Sequence, residues 1–249
     1  MLSKAVLKYI NSLQIKKYRS IHQAFIVEGA KSVQELLLSD FETEKVFVTE
    51  NFYQQNRFLF QKNIPYEIVT EQDLVKAGTY ESNNAALAVA KHKKLPPLEL
   101  APSDFIVALD DIRDPGNLGT IIRIADWYGI SRIVCSETCA DFYNPKVIAA
   151  TMGSFTRVSA YYLNLSQFLE KQRKNGMPVY GAALSGENIH KLELMPKGIV
   201  VMGNEAHGIK PEIMQQISQG IKIPQFGKAE SLNVATATAI IIDNFMRNA

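Results

Sequence analysis

The stretch LDDIRDPGNLGTIIRIADWYGI, residues 109–130, decides the fold and carries the first candidate site. It begins as the end of an apolar strand, passes through a Pro-Gly turn and continues as an apolar helix, which is a strand-to-helix junction of an α/β protein. We expect Asn117 to cap this helix, Gly119 to permit close approach of a second backbone, and Arg123 to be a buried arginine. Such junctions often hold a ligand. Taken alone, the stretch is equally consistent with an ordinary capped helix whose arginine reaches solvent.

Composition and charge are those of an ordinary globular protein. The 249 residues are 47% hydrophobic and 21% charged, with a formal net charge of +2. The first twenty residues contain no acid and include Lys16, Lys17 and Arg19, which indicates either phosphate contacts or a solvated basic helix face. A transit peptide is disfavoured because the stretch leads directly into a strand.

Cysteine and histidine usage, together with hydropathy, argues against several functional classes. Two cysteines and four histidines offer no cluster at zinc-ligand spacing, so we expect no metal. There is no apolar run of 18 residues and no evident signal peptide. We therefore expect an intracellular, cytoplasmic protein without a membrane segment.

The chain divides into two domains. Residues 1–95 alternate short strands and helices, as in a small α/β domain, and a proline-rich linker at 96–103 follows. Residues 104–249 alternate unbroken apolar strands with helices, which predicts a mostly parallel sheet covered on both faces. Ligands of such sheets bind beyond the carboxyl ends of the strands.

A second junction follows the strand in GIVVMGNEAHGI, residues 198–209. Gly203 and Gly208 flank Asn204 and Glu205, so backbone groups can wrap a small molecule while Glu205 accepts hydrogen bonds. The competing interpretation is a plain connection whose glutamate caps the next helix.

The third junction is IKIPQFGKAESLNVATATAIIIDNF, residues 221–245. We expect a helix over 231–246 that begins with Ser231, Leu232 and Asn233, with Ser231 as a mere N-cap in the competing interpretation. The helix is apolar around most of its circumference, which indicates a subunit interface. The three junctions contain no catalytic triad or P-loop, and the absence of G-x-G-x-x-G disfavours a dinucleotide-dependent oxidoreductase. From the residues alone, residues 104–249 form a ligand-binding α/β domain.

Three segments together resemble a known family. DPGNLGTIIRIADWYGI (114–130), VVMGNEAHGI (200–209) and IPQFGKAESLNVATATA (223–239) resemble, in order, motifs one, two and three of the SpoU (TrmH-like) RNA ribose methyltransferases of the SPOUT superfamily. FYNPKVIAATMGSFTRV, residues 142–158, resembles the family's segment between motifs one and two. The N-terminal half resembles the small RNA-binding domain of many members. One departure is Asn83-Asn84-Ala85, where many relatives have Pro-Gln-Gly.

The resemblance implies methyl transfer from S-adenosylmethionine to a ribose 2′-hydroxyl, in ribosomal RNA rather than transfer RNA. It also implies a C-terminal trefoil knot and a homodimer through the last helix. The residues it assigns to the cofactor are Leu184, Gly203, Asn204, Gly208, Ile223 and Leu232. The residues it assigns to catalysis are Asn117, Arg123, Glu205, Ser231 and Asn233. The phosphate contacts it favours are Lys16, Lys17 and Arg19.

The expected role of Arg123 is electrostatic. Arginine stays protonated in proteins, so we expect its guanidinium to hold the phosphate and stabilise a developing alkoxide rather than act as a literal base. A catalytically silent RNA-binding protein on the same scaffold is the alternative from another functional class.

Overall fold

The computed structural model describes residues 2–60 and 64–247. The α-helices are α1 (Lys4–Ser12), α2 (Lys16–His22), α3 (Ala30–Leu38), α4 (Glu50–Gln55), α5 (Glu71–Ala77), α6 (Pro115–Trp127), α7 (Pro145–Thr151), α8 (Leu165–Lys174), α9 (Pro211–Met214) and α10 (Val234–Met246). The strands are β1 (Ala24–Glu28), β2 (Thr43–Val48), β3 (Tyr66–Ile68), β4 (Ala86–Lys91), β5 (Phe105–Leu109), β6 (Arg132–Ser136), β7 (Ser159–Leu163), β8 (Val179–Asn188), β9 (Gly198–Met202) and β10 (Gln219–Lys222). No described helix has the length and apolarity to cross a membrane.

The chain forms two compact units. The first unit consists of the chain up to Leu95 together with Asp141–Thr156. The second unit consists of Pro96–Ala140 and the chain from Arg157 onward. The division after Leu95 coincides with the start of the proline-rich segment. That segment is not a free linker, because Leu98 and Leu100 pack against the core of the second unit. Residues 141–156, which the sequence interpretation placed in the second domain, belong to the first unit instead.

The first unit is built on a four-stranded mixed sheet in the order β1-β4-β2-β3. Strand β4 is antiparallel to both β1 and β2, and β3 is parallel to β2. The sequence predicted these four strands. Their apolar side chains pack under α1 and α5, because both helices bury one apolar face.

The segment 141–156 belongs to the first unit because its apolar residues complete that unit's core. The Phe155 ring packs edge-on against Phe25 at 6.0 Å between centroids and against Phe41 at 5.8 Å. The carboxylate of Asp141 forms an ion pair of 2.6 Å with the guanidinium of Arg19. A sequence pattern does not reveal such an excursion, because the contacts join residues more than a hundred positions apart.

The second unit contains a six-stranded sheet in the order β10-β8-β9-β5-β6-β7, with every pairing parallel. This confirms the predicted parallel sheet. Strands β5, β6 and β9 are almost wholly buried, as unalternating apolar runs require. The helices α8 and α9 cover the face that carries Ile106 and Val179, whereas α10 places Phe245 against Phe105 and Tyr180 on the other face.

The strand order reverses next to β5. The chain runs from β5 outward through β6 to β7 and then crosses to the other side of β5, where β9 lies. Carboxyl ends of strands at such a reversal form the crevice in which α/β proteins bind ligands. The loops after β5 and β9 therefore define the place to look for a site.

Candidate active site

Three loops that are far apart in sequence meet through side-chain hydrogen bonds. The amide nitrogen Nδ2 of Asn233 donates to Oδ1 of Asn117 at 2.9 Å, and Nδ2 of Asn117 donates to Oε1 of Glu205 at 2.7 Å. Asn117 follows β5, Glu205 follows β9 and Asn233 precedes α10. The sequence prediction that these residues share one site is supported by this geometry. We call Asn117, Glu205 and Asn233 the amide–carboxylate cluster.

Local capping fixes where each member lies. Asp114, not Asn117, is the N-cap of α6, because its Oδ1 accepts from the Asn117 backbone N–H at 2.7 Å and Pro115 occupies the first helical position. The expectation that Asn117 caps the helix is wrong, and its side chain is therefore free to bridge the other two loops. The signal was in the sequence, since aspartate before proline is a frequent helix start.

The helix α10 starts later than expected. It begins at Val234, and Asn233 caps it by accepting from Ala235 and Thr236 with Oδ1. Ser231 therefore precedes the helix and is not its N-cap. The Ser231 side chain is exposed and makes no hydrogen bond to another described residue, so its hydroxyl is available to a ligand.

The loop after β9 is closed tightly on itself. Asn204 and Gly208 exchange two backbone hydrogen bonds of 3.0 and 2.9 Å, and Gly208 has φ +68°, which favours glycine. A Cβ on Gly203 would lie 2.3 Å from the carbonyl carbon of Gly208, so only glycine fits. Asn204 itself donates to the backbone oxygen of Asp111 at 2.9 Å and anchors the loop to the end of β5. Glu205 therefore projects from a rigid support.

Asp111 supports this anchor and was missed by sequence reasoning. It is buried, has φ +60°, and hydrogen-bonds Arg113 through its carboxylate at 2.9 Å. Burial works to raise the pKa of Asp111, but hydrogen bonds from Thr138 and Arg113, together with the charge of Lys210, lower it below its ordinary value. A left-handed aspartate beside the cluster is the kind of backbone strain that accumulates at functional sites.

The residues expected to hold a cofactor lie in a bulge of β8 and just after the neighbouring strands β9 and β10. Gly181 in β8 is in register with both Val201 in β9 and Gly220 in β10, and Leu184, Gly203 and Ile223 lie two or three residues beyond that level. The register between β8 and β10 jumps from Gly220 to Ile221, which leaves residues 182–186 as a bulge that presents Leu184. Leu184 and Leu232 are both exposed apolar residues.

These features fit a cofactor with an aromatic base and polar groups. The exposed Leu184 in the β8 bulge and Leu232 in the loop before α10 supply an apolar cover, and the backbone N–H groups of Ser231 and Leu232 donate to no described protein acceptor. Unused backbone donors beside apolar side chains are what small-molecule sites present. Among the described residues there is no group of three or more potential metal ligands.

Arg123 does not lie within the amide–carboxylate cluster. It is exposed, not buried as expected, and it forms no hydrogen bond or ion pair with a described residue. Six helical residues separate it from Asn117 by roughly 9 Å along α6 and about 120° around it. Arg123 instead shares an exposed stripe with Trp127, whose side chain is 85% exposed.

The three basic residues expected to contact phosphate have different environments. Lys16 and Lys17 are exposed on α2, so their assignment stays a prediction. Arg19 is 2% exposed, pairs with Asp141, and donates to the backbone oxygens of Leu13 and Gln14. The prediction for Arg19 is therefore wrong, because its guanidinium is fully engaged inside the first unit.

Comparison with known proteins identifies both parts of the chain. A family model described as the SpoU rRNA Methylase family matches residues 104–243, and one described as the MRM3-like substrate binding domain matches residues 4–88. The 23S rRNA (guanosine(2553)-2′-O)-methyltransferase RlmP of Bacillus subtilis is 29% identical, covering 92% of this chain and 91% of its own length.

Two solved structures share the fold over the whole chain. A putative RNA methyltransferase of the TrmH family from Porphyromonas gingivalis is 33% identical with a TM-score of 0.87, and each chain is covered completely. An AdoMet-bound rRNA methyltransferase from Sinorhizobium meliloti is 28% identical with a TM-score of 0.87, covering all of this chain and 96% of that one.

Proposed function

The chain belongs to the SpoU rRNA methylase family, and from this membership we propose that it transfers a methyl group from S-adenosylmethionine to a ribose 2′-hydroxyl of ribosomal RNA. The observation that carries the proposal is the amide–carboxylate cluster, which joins one residue from each of the three family-like motifs by hydrogen bonds of 2.7 and 2.9 Å. A silent RNA-binding protein would have no need to keep these three side chains aligned.

Methyl transfer requires that the methyl donor and the ribose 2′-hydroxyl are aligned and that the hydroxyl loses its proton. S-adenosylmethionine supplies an activated sulfonium methyl group, whereas a 2′-hydroxyl is a weak nucleophile. Asn117 uses both ends of its amide inside the cluster and so fixes one oxygen of Glu205. The other carboxylate oxygen remains available to accept a hydrogen bond from the ribose hydroxyl. Holding reacting groups in line contributes much of the rate in such reactions.

The cofactor is assigned to the bulge within β8 and to the loops after β9 and β10. Leu184, Gly203, Ile223 and Leu232 surround it in this proposal, with Asn204 and Gly208 keeping the middle loop closed. The support is the exposed apolar cover, the unused backbone N–H groups and the AdoMet-bound relative. A trefoil knot formed by these loops is part of the same proposal.

We place a homodimer interface on α6 and α10. Trp127 and Arg123 form an exposed stripe on α6, and a large exposed aromatic residue is typical of protein interfaces. Because Arg123 is exposed and lies about 120° around α6 from Asn117, this proposal has it reach the ribose and phosphate held at the cluster of the second copy. That arrangement makes the site complete only in the dimer.

Two observations support ribosomal RNA as the target. The relative RlmP is named for a guanosine in 23S rRNA, and residues 4–88 match a substrate-binding domain, so ribosomal RNA is proposed over transfer RNA. The exposed Lys16 and Lys17 on that domain suit phosphate contacts.

The test is a map of ribose methylation in cells with and without the gene. We expect one 2′-O-methylated ribosomal nucleotide to vanish on deletion and to return with the wild-type gene but not with Glu205→Ala. Loss of a methyl group from transfer RNA alone would show that transfer RNA is the substrate instead of ribosomal RNA. An unchanged methylation map would contradict the proposed activity.

A further inference from the structure

A cavity distinct from the amide–carboxylate cluster opens at the same edge of the parallel sheet. It has a volume of about 200 Å³ and lies beyond the carboxyl ends of β5, β6 and β7, with Asp110, Glu137, Lys210 and Glu212 among its lining residues. Asp110 continues the alternation of Ile106 and Ala108 and so points to the face covered by α8 and α9. The cluster lies at the start of α6 and α10. The two places are therefore on opposite faces of the sheet.

One carboxylate oxygen in this cavity accepts no hydrogen bond from the part of the chain that the structure describes. Asp110 is 1% exposed, and its Oδ2 accepts from the backbone N–H of Lys210 at 2.8 Å. Among the described residues its Oδ1 has no hydrogen-bond partner, and Nζ of Lys210 lies 3.6 Å from it. A buried carboxylate oxygen without a donor is costly, so it marks a position at which a ligand N–H is stabilising.

The lining favours a small, flat ligand rich in hydrogen-bond donors. Three carboxylates face one ammonium group, and the exposed Glu137 and Glu212 stand at the rim. The volume is below the roughly 300–1,000 Å³ of pockets that hold drug-sized ligands, so a single base fits better than a whole cofactor. A metal ion is disfavoured because Lys210 already places a positive charge 3.6 Å from Oδ1.

We propose that this cavity binds a guanine base of the RNA, at or next to the methylated nucleotide. Guanine presents an acceptor, O6, beside two adjacent donors, N1–H and N2–H, whereas adenine and cytosine place a ring acceptor beside their amino group. Lys210 donates to O6, Asp110 Oδ1 accepts from N1–H, and a rim glutamate accepts from N2–H. The flexible Lys210 chain covers Oδ1 and moves aside to make its contact.

This proposal rests on the proposed function, and the sequence of the chain links the two sites. Asp110 precedes the anchor residue Asp111, and Lys210 lies five residues after Glu205. A guanine held by Asp110 and Lys210 would fix the position of the RNA strand. The ribose would then reach Glu205 on the opposite face of the sheet, at the same edge. Base recognition would then contribute to alignment of the methyl acceptor.

The test measures binding of guanosine, inosine and adenosine to the full-length protein by ligand-observed NMR, with S-adenosylmethionine present. Inosine lacks only the N2 amino group. We expect guanosine to bind, inosine to bind about tenfold more weakly because one charged hydrogen bond is lost, and adenosine more weakly still. Asp110→Asn should abolish the preference for guanosine.

Variants of the exposed rim residues Glu137 and Glu212 identify which glutamate contacts N2–H of guanine. They also keep the test valid if the buried variant Asp110→Asn does not fold. Of Glu137→Gln and Glu212→Gln, the one that removes the N2 contact should bind guanosine as weakly as the wild type binds inosine. Glu170→Gln, an exposed glutamate on α8 paired with Lys174, is the matched control and should change nothing.

Two results would overturn the proposal: equal binding of the three nucleosides, or guanosine binding that neither Asp110→Asn nor either rim variant alters. Methyl transfer to RNA, measured in parallel, separates this proposal from the proposed function. Methylation without selective binding of guanosine would contradict only the proposal that the cavity binds guanine. Selective guanosine binding without methylation would contradict only the proposed methyltransferase function.

Discussion

Replacing Asn117 with aspartate sets two carboxylates against each other at the centre of the site. The wild-type amide nitrogen donates to Glu205 at 2.7 Å, so Asn117→Asp exchanges a charge-assisted hydrogen bond for repulsion without a change of shape. The contact from Asn233 survives, because aspartate still offers an oxygen to it. The variant therefore tests one bond of the amide–carboxylate cluster.

The magnitude follows from the distance. Two unit charges 2.7 Å apart repel by roughly 1.5 kcal/mol in a water-like dielectric, which suits these exposed side chains. Loss of the hydrogen bond destabilises the folded state by about 1 kcal/mol more. The negative charge in the first turn of α6 stabilises it by about 0.5 kcal/mol through the helix dipole. The net cost of about 2 kcal/mol corresponds to a fall in melting temperature of about 4–8 °C.

The assay is a double-mutant cycle with Glu205→Gln. In the double variant Asn117→Asp with Glu205→Gln, the glutamine amide donates to the aspartate, so the melting temperature should return most of the way to the wild-type value. Glu205→Gln alone should cost little stability but should slow methyl transfer. If the two substitutions add without recovery, the bond between positions 117 and 205 does not exist in solution and the geometric argument fails.

Four further predictions concern other parts of the molecule. Arg123→Ala should abolish methylation yet leave S-adenosylmethionine affinity within a few-fold, and wild-type turnover in this variant would remove its role. Lys16→Ala and Lys17→Ala should each lower the slope of RNA affinity against salt by about one unit, and an unchanged slope would exclude the phosphate contact. Arg19→Ala should destabilise the first unit by about 3 kcal/mol in chemical denaturation, since it leaves Asp141 unpaired, whereas a wild-type curve would show that the pair contributes nothing. The lowered pKa of Asp111 gives stability that is present above about pH 4 and is lost as pH falls through the lower folded-state pKa. Asp111→Asn should therefore be less stable than the wild type at pH 7 and equal to it in strong acid, and a constant difference would contradict this.

The second unit was the most predictable part of the fold. Unalternating apolar runs such as β5 and β9 predict buried parallel strands, because both faces of such a sheet are covered. The mixed sheet of the first unit and the excursion of residues 141–156 were not predictable from local pattern. Both depend on contacts between distant residues, such as Phe155 against Phe25.

The sequence predicted part of the site, since three of the five residues assigned to catalysis are joined by hydrogen bonds. Asn117, Glu205 and Asn233 follow from strand-end position and family-like motifs, and they do meet. The capping residues differ from the expected ones, since Asp114 and not Asn117 caps α6, and Asn233 and not Ser231 caps α10. A capping pattern allows several neighbouring residues, and only the backbone geometry selects one.

The environments of Arg19 and Arg123 could not be predicted from the sequence pattern. Both lie in helices, yet Arg19 is buried against Asp141, whereas Arg123 is exposed and pairs with none of the residues that the structure describes. Burial of a charged side chain depends on whether the fold supplies a counter-charge, and Asp141 lies more than a hundred residues away from Arg19. Periodicity carries no information about that.

The central claim is that loops from three motifs hold a methyl donor and a ribose hydroxyl together. It is tested most directly by incubating the purified protein with deuterated-methyl S-adenosylmethionine and ribosomal RNA from the deletion strain, followed by mass spectrometry of the digested nucleosides. We expect a labelled 2′-O-methylated nucleoside in the wild-type reaction and its loss in Glu205→Ala. Label on a base, or equal labelling by Glu205→Ala, would contradict it.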